Sequence, residues 1–297
     1  MAMKVGLQLH SVRDALRFDP DGTFEKVAAL GFRYLELSAQ DAVDEPAVCY
    51  GIGAGQYRAM ADHCGVSIVG GQVRNLSMET LDRVAGFCEE LGAGHVTIQI
   101  GYFPDRQAIE RQANLYNRLG EALARRDLRL FYLNHYHEFQ LVDGEPVMDR
   151  LLALTNPALM SLAFSPYWAI RGLVDPVSAL RKYGPRVALV EQADFPLSEA
   201  DKLNMWSFAR HHPLAGAIRR DVPLKGGEIE LIQPLQASLY AEVGDGILRL
   251  QEIADEANRA GGVSYVMLRQ DFSRLPTEFD SLRRGVENYK RVSGVEW

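Results

Sequence analysis

Polar residues gather where short apolar runs stop. Gln8, His10 and Arg13 follow the first such run, and Glu36 lies on the second. Gln72 follows the third run and Gln99 the fourth. Asn134, His135, His137 and Glu138 follow the fifth, and Ser165, Tyr167, Trp168 and Arg171 the sixth. Glu191, Gln192 and Asp194 follow the seventh, and Arg269, Gln270 and Asp271 the last. Carboxylates and imidazoles are the groups that move protons at a substrate carbon or oxygen. A guanidinium binds a carboxylate, phosphate or enediolate-like oxygen. The Tyr167-Trp168 pair offers a face for a sugar ring. Plainer roles compete with each of these. A lone histidine at a strand end is often a hydrogen-bonded structural group. Glu36 would equally accept hydrogen bonds from a neighbouring loop, and Trp168 would equally be packing.

The elements that must carry these residues alternate. Strand-like runs at 5–9, 34–37, 66–69, 95–100, 128–133, 160–164, 187–190 and 265–268 are separated by helical stretches. Glycines close several of those helices, at Gly31, Gly65, Gly92 and Gly261-Gly262. Eight strands, each followed by a helix, predict an α/β fold of the (β/α)8 TIM-barrel class, in which reacting groups project from the C-terminal strand ends. An open doubly wound sheet would show a glycine-rich phosphate loop after the first strand; Gln8-Leu9-His10-Ser11 is no such loop. With no linker or repeat, residues 1–297 read as one domain. An enlarged loop at about 195–241 interrupts the rhythm. It holds Trp206, His211-His212 (read as a solvated pair), Arg219-Arg220 and Lys225-Gly226-Gly227.

Composition narrows the function classes. The 297 residues are 47% hydrophobic and 24% charged, ordinary for a globular chain. With 32 basic and 39 acidic residues the net charge is -7, which argues against nucleic acid as a partner. Three cysteines, Cys49, Cys64 and Cys88, form no CxxC pair and fit a reducing cytoplasm. No signal peptide or membrane-spanning run is expected.

Gly6-Leu7-Gln8-Leu9-His10-Ser11-Val12-Arg13-Asp14 closely resembles the opening of the sugar phosphate isomerase/epimerase family, the xylose isomerase-like TIM barrels, where a tyrosine usually stands at His10. Asn134-His135-Tyr136-His137-Glu138-Phe139 resembles the family's fifth-strand signature. Tyr167-Trp168-Ala169-Ile170-Arg171-Gly172 with Val174-Asp175-Pro176, and Glu242-Val243-Gly244-Asp245-Gly246, resemble two further segments in the same order. The resemblance implies a barrel-mouth divalent metal such as manganese, held from strands five to eight. Leu133, Ser165, Glu191 and Arg269 stand at those four positions. Leu133 has no donor and Arg269 repels a cation, so no metal cofactor is expected.

The expected function is a metal-independent isomerase or epimerase acting on a sugar or other polyhydroxy carbonyl compound. Glu191 would be the general base, Arg269 the electrostatic stabiliser and His135 a donor or proton relay. Gln8, His10, Glu36, Asn134, His137, Tyr167, Trp168, Arg171 and Asp194 would bind substrate. One alternative is a non-catalytic sugar-binding or regulatory barrel, with Glu191–Arg269 a buried pair filling the vacated site. Another is a lyase acting by elimination on an oxidised sugar. A homodimer is the expectation at family level, and the sequence itself leaves the oligomeric state open.

Overall fold

A computed structural model describes residues 2–74, 76–205 and 237–297. Most of the enlarged loop, with Trp206, the His211-His212 pair, Arg219-Arg220 and Lys225-Gly226-Gly227, lies outside the described residues.

Eight parallel strands form a closed ring: β1 (Met3–Gln8), β2 (Tyr34–Leu37), β3 (Ser67–Val73), β4 (His95–Ile98), β5 (Arg129–Leu133), β6 (Met160–Phe164), β7 (Val187–Gln192) and β8 (Tyr265–Leu268). Closure is between the first and last, with Val5 opposite Val266 and Leu7 opposite Leu268. Helices cover the outside. Arg106–Ala124 buries Ile109, Tyr116, Leu119 and Leu123 against the barrel, and Asp105 caps it by accepting from the Ala108 N–H at 2.7 Å. The helix Leu81–Leu91 ends at Gly92 with φ 75°, a left-handed cap that glycine adopts without a Cβ penalty. Among the described residues no helix is long and apolar enough to cross a membrane.

Two local departures from expectation shape the site. The third strand runs on to Val73, past the expected end at residue 69 and through Gly70-Gly71. Those glycines serve close packing: a Cβ on Gly70 would lie 1.9 Å from His95 Nε2. The extra length puts Gln72 inside the barrel. A second difference follows β6, where Ser165 caps a short helix, Pro166–Arg171, with proline in its first turn. That helix turns Trp168 toward the β5 loop, its ring 4.9 Å from that of His135.

Side chains alternate inward and outward along each strand. Phe131, Leu133, Ala163, Leu189 and Met267 form a separate apolar cluster, with Tyr34 and Tyr265 packed against it. Positions of the same parity, Glu36, Glu191 and Arg269, are polar and lie towards the C-terminal strand ends.

Candidate active site

A continuous hydrogen-bonded network crosses the barrel from β8 to β4. Arg269 donates from Nε to Asp271 Oδ1 at 2.6 Å and from Nη1 to Glu191 Oε1 and Oε2 at 3.1 and 3.0 Å. Gln72 Nε2 lies 2.6 Å from Glu191 Oε2 and 2.9 Å from Glu36 Oε2, so one amide bridges two carboxylates. Glu36 Oε1 is met by His95 Nε2 at 3.0 Å and by the Thr97 hydroxyl at 2.9 Å. The bulge between β2 and β3, at Leu35/Glu36, sets the register that lets Gln72 reach both carboxylates.

The charges are tuned by this burial. Burial raises the Glu191 pKa above the ordinary carboxylate value; Arg269 opposes the rise and the Glu36 carboxylate adds to it. Burial also works against the Asp271 carboxylate, yet Arg269, His10 and Arg13 hold its pKa down at about 2. Arg269 stays protonated: burial disfavours its charge, and Asp271 and Glu191 more than compensate. Its side chain keeps 10% exposure, and Nη2 makes no hydrogen bond among the described residues.

Two histidines share the electrostatic surroundings of Arg269. Burial, with the charges of Arg269, Arg13 and Arg17, lowers the His10 pKa to about 3 against the pull of Asp271; its Nδ1 sits 2.8 Å from the Tyr50 hydroxyl. His135 is depressed well below its usual value by burial, then by His137, Arg269 and Arg74. Glu138 fixes the His135 backbone, accepting its N–H at 2.8 Å. The His135 Nδ1 atom is buried and has no partner among the described residues. Both imidazoles are therefore neutral at pH 7, suited to donating or accepting one hydrogen bond.

The remaining expected substrate ligands are placed differently. Asn134 is not free for a ligand: Oδ1 accepts from the Ser165 N–H at 2.8 Å and Nδ2 donates to the carbonyls of His135 and Ser165, stitching β5 to β6. Asp194 is a loop anchor rather than a substrate contact. Its carboxylate takes the N–H groups of Phe195, Gly244, Gly246 and Leu248 at 2.8–3.1 Å. The Gly244-Asp245-Gly246 turn thus owes its shape to Asp194. Asp194→Ala strands four donors, and the expected destabilisation is about 3 kcal/mol, read from a denaturant melt.

Glu36 is fully buried and spends its oxygens on Gln72, His95 and Thr97, beneath the mouth. Gln8 is also fully buried; its Oε1 accepts the His10 N–H at 2.6 Å and its Nε2 has no partner among the described residues. His137 donates through Nε2 to the Gly101 carbonyl at 2.6 Å and stacks on Tyr102. Tyr167 is buried, donates to the Leu239 carbonyl and stacks on Tyr240 with ring centroids 4.7 Å apart. Arg171, fully buried, lies against the Tyr167, Trp168 and Phe195 rings and donates Nη1 to the Tyr167 hydroxyl. So the structure gathers Glu191, Arg269, His10 and His135 in one charged neighbourhood, with Trp168 beside His135. It places Asn134 and Asp194 in scaffolding, and Tyr167 and Arg171 packed against the Trp168 ring. Gln72 and Asp271, noted above at strand ends but given no role, belong with the first group, as do His95 and Arg74, which were not singled out. Alternation was the available signal for three of them: Arg74 is two residues after Gln72, and Asp271 two after Arg269.

No protein-family model matches the chain. Among solved structures, a sugar phosphate isomerase/epimerase from Parabacteroides distasonis superimposes with a TM-score of 0.75 at 17% identity, covering 100% of this chain and 96% of that one. A xylose isomerase domain protein from Planctomyces limnophilus gives 0.62 at 13% identity, covering 98% of each chain. The chain folds as a (β/α)8 barrel, the fold of these proteins. In sequence, Inosose dehydratase 1 of Bacillus cereus is 25% identical over 137 residues, 46% of this chain. The chain spans 38% of that relative's length.

In this barrel the four positions that the resemblance gives to metal ligands do not make a donor set for a divalent cation. Leu133 is packed in the inner apolar cluster. The Ser165 hydroxyl faces the Trp168 N–H at the start of its helix. Glu191 has both oxygens engaged by Arg269, whose own guanidinium stands at the fourth position. A fixed positive charge there repels a metal ion and supplies some of the field that the ion would provide.

Proposed function

We propose that this barrel is an enzyme that moves a proton at the carbon next to the carbonyl of a sugar or polyhydroxy carbonyl compound, without a metal ion. The observation that carries the reading is the Arg269 guanidinium, fixed between Asp271 and Glu191 at the position the resemblance gives to metal. Glu191 takes the proton, and burial makes it a stronger base than an exposed carboxylate. Arg269, through Nη2, takes up the negative charge that develops on the carbonyl oxygen. His135, neutral and with Nδ1 unpartnered, hydrogen-bonds a substrate hydroxyl. Trp168 forms a wall against the sugar face. Return of the proton gives an isomer or epimer. Departure of a hydroxyl on the adjacent carbon gives a dehydrated product, the outcome named by the inosose dehydratase similarity.

A non-catalytic sugar-binding barrel is the second reading. It is favoured by one observation: Arg269 and Gln72 occupy the Glu191 carboxylate, whose side chain is 2% exposed. Deuterium exchange separates the two. The protein is incubated in D2O with a panel of ketoses, aldoses and inososes, and label at the carbon next to the carbonyl is followed by NMR. The enzyme reading expects label in at least one compound, and loss of that label in Glu191→Gln. Saturable binding with no exchange in any compound overturns it in favour of the binding barrel.

A further inference from the structure

Residues 49–52, between β2 and β3, make a two-residue turn. Cys49 and Ile52 exchange both backbone hydrogen bonds, at 2.9 and 3.0 Å. The residues between them, Tyr50 and Gly51, have φ of 51° and 78°, the pattern of a type I′ turn. Glycine and asparagine suit such positions; a tyrosine there is strained by its Cβ. The turn is pinned from both sides. The Tyr57 hydroxyl donates to the Cys49 carbonyl at 3.0 Å, and Cys49 Sγ donates to the Ser38 carbonyl at 3.2 Å. Strain persists where the surroundings over-determine it, and such residues cluster at working sites. This turn delivers the Tyr50 hydroxyl to 2.8 Å from His10 Nδ1, with the Arg17 guanidinium 4.8 Å from the tyrosine ring centre.

Backbone contacts fix where His10 stands. Its N–H donates to Gln8 Oε1 at 2.6 Å. Its carbonyl shares Arg13 Nη1 with the Asp271 carbonyl, at 3.1 and 2.6 Å, and the next residue, Ser11, accepts the Gln270 N–H at 3.0 Å. His10 therefore sits where β1 meets β8, beside the aspartate that holds Arg269. The Tyr50–His10 contact has a direction. Burial, then Cys49, pushes the Tyr50 pKa up to about 12 against a hydrogen bond from the Ser38 side chain, so the phenol keeps its proton. With Ser38 on its oxygen, Tyr50 has its own hydrogen to place, and His10 Nδ1 is the acceptor within reach. An imidazole that accepts at Nδ1 carries its hydrogen on Nε2. His10 Nε2 makes no hydrogen bond among the described residues, and solvent reaches it.

We propose that Tyr50 is a positioning residue: its hydroxyl holds His10 as the tautomer with hydrogen on Nε2, so that a neutral N–H donor, not a lone pair, meets a substrate oxygen. The proposal rests on the reading of the barrel mouth as a sugar-processing site, and it adds a donor on the β1 side to the guanidinium on β8. A neutral imidazole suits the place, because it donates without adding a positive charge beside Arg269, Arg13 and Arg17.

Nitrogen–proton correlation NMR of the histidine side chains reads the tautomer without turnover, with His10→Gln assigning the signal. His10 is expected to carry its hydrogen on Nε2 at neutral pH. Tyr50→Phe keeps the ring and removes only the hydroxyl. In that variant His10 is expected to populate both tautomers, and deuterium exchange into a reactive compound to slow at least about tenfold. Hydrogen on Nδ1 in the wild type overturns the proposal, and that spectrum alone decides if the phenylalanine variant does not fold. An unchanged tautomer in Tyr50→Phe overturns it as well, and so does a changed tautomer with an unchanged exchange rate. The expected tautomer response in a protein that exchanges no compound would instead count against the proton-transfer reading alone.

Discussion

Replacing Arg269 by methionine abolishes turnover and destabilises the barrel by about 3–5 kcal/mol. The two effects have one origin. Asp271 and Glu191 are left as buried carboxylates without their shared cation, and Gln72 loses a donor to its Oε1 at 3.3 Å. Arg269→Lys separates the effects. An ammonium keeps the charge, but it cannot donate at once along the Nε direction to Asp271 and the Nη1 direction to Glu191. Much of the stability is expected to return, while kcat/KM stays at least about a hundredfold down, because the cation no longer points at the substrate oxygen. Thermal melts and single-turnover rates on both variants check this. Full activity in the lysine variant would mean that only the charge matters.

Glu191→Gln is the second large effect. The amide keeps the shape of the side chain and can still meet Arg269 through its carbonyl oxygen, so folding and sugar binding survive. Proton abstraction does not: kcat is expected to fall about 10²–10⁴-fold, with KM little changed. The pH profile adds a sign. Glu191 must be ionised to accept a proton, and burial raises its pKa above the ordinary 4.5. The acid limb of kcat/KM therefore lies above pH 4.5, with the rate rising as pH increases through it. His10, at about 3, and His135, depressed well below its usual value, contribute no limb near pH 6.5. A limb at the usual imidazole value would transfer the base role to a histidine outside this pair.

The barrel was legible because its evidence is periodic. Apolar runs of strand length, helices closed by glycine and polar residues at one end of each strand agree with one another, and 34–37, 160–164 and 265–268 match the observed elements to the residue. The pairing of Glu191 with Arg269 was legible too, since both positions face inward on adjacent strands. What failed was local. The sequence pattern ends the third strand at residue 69, before Gly70-Gly71, yet the strand continues because the missing Cβ of Gly70 makes room for the His95 ring. That hid Gln72 as the bridge between Glu36 and Glu191. Asp194 and Asn134 look like ligands because they are polar residues at strand ends. Whether such a side chain meets substrate or a backbone N–H depends on how the next loop folds, which pattern alone does not give.

The most direct test of the central claim is metal analysis of the natively purified protein, joined to the deuterium-exchange rate before and after exhaustive chelation. A guanidinium in place of the metal predicts substoichiometric manganese, zinc, cobalt, iron, nickel and magnesium, with an exchange rate untouched by chelation and lost in Arg269→Met. One bound metal per chain, whose removal stops exchange and whose return restores it, would contradict the account.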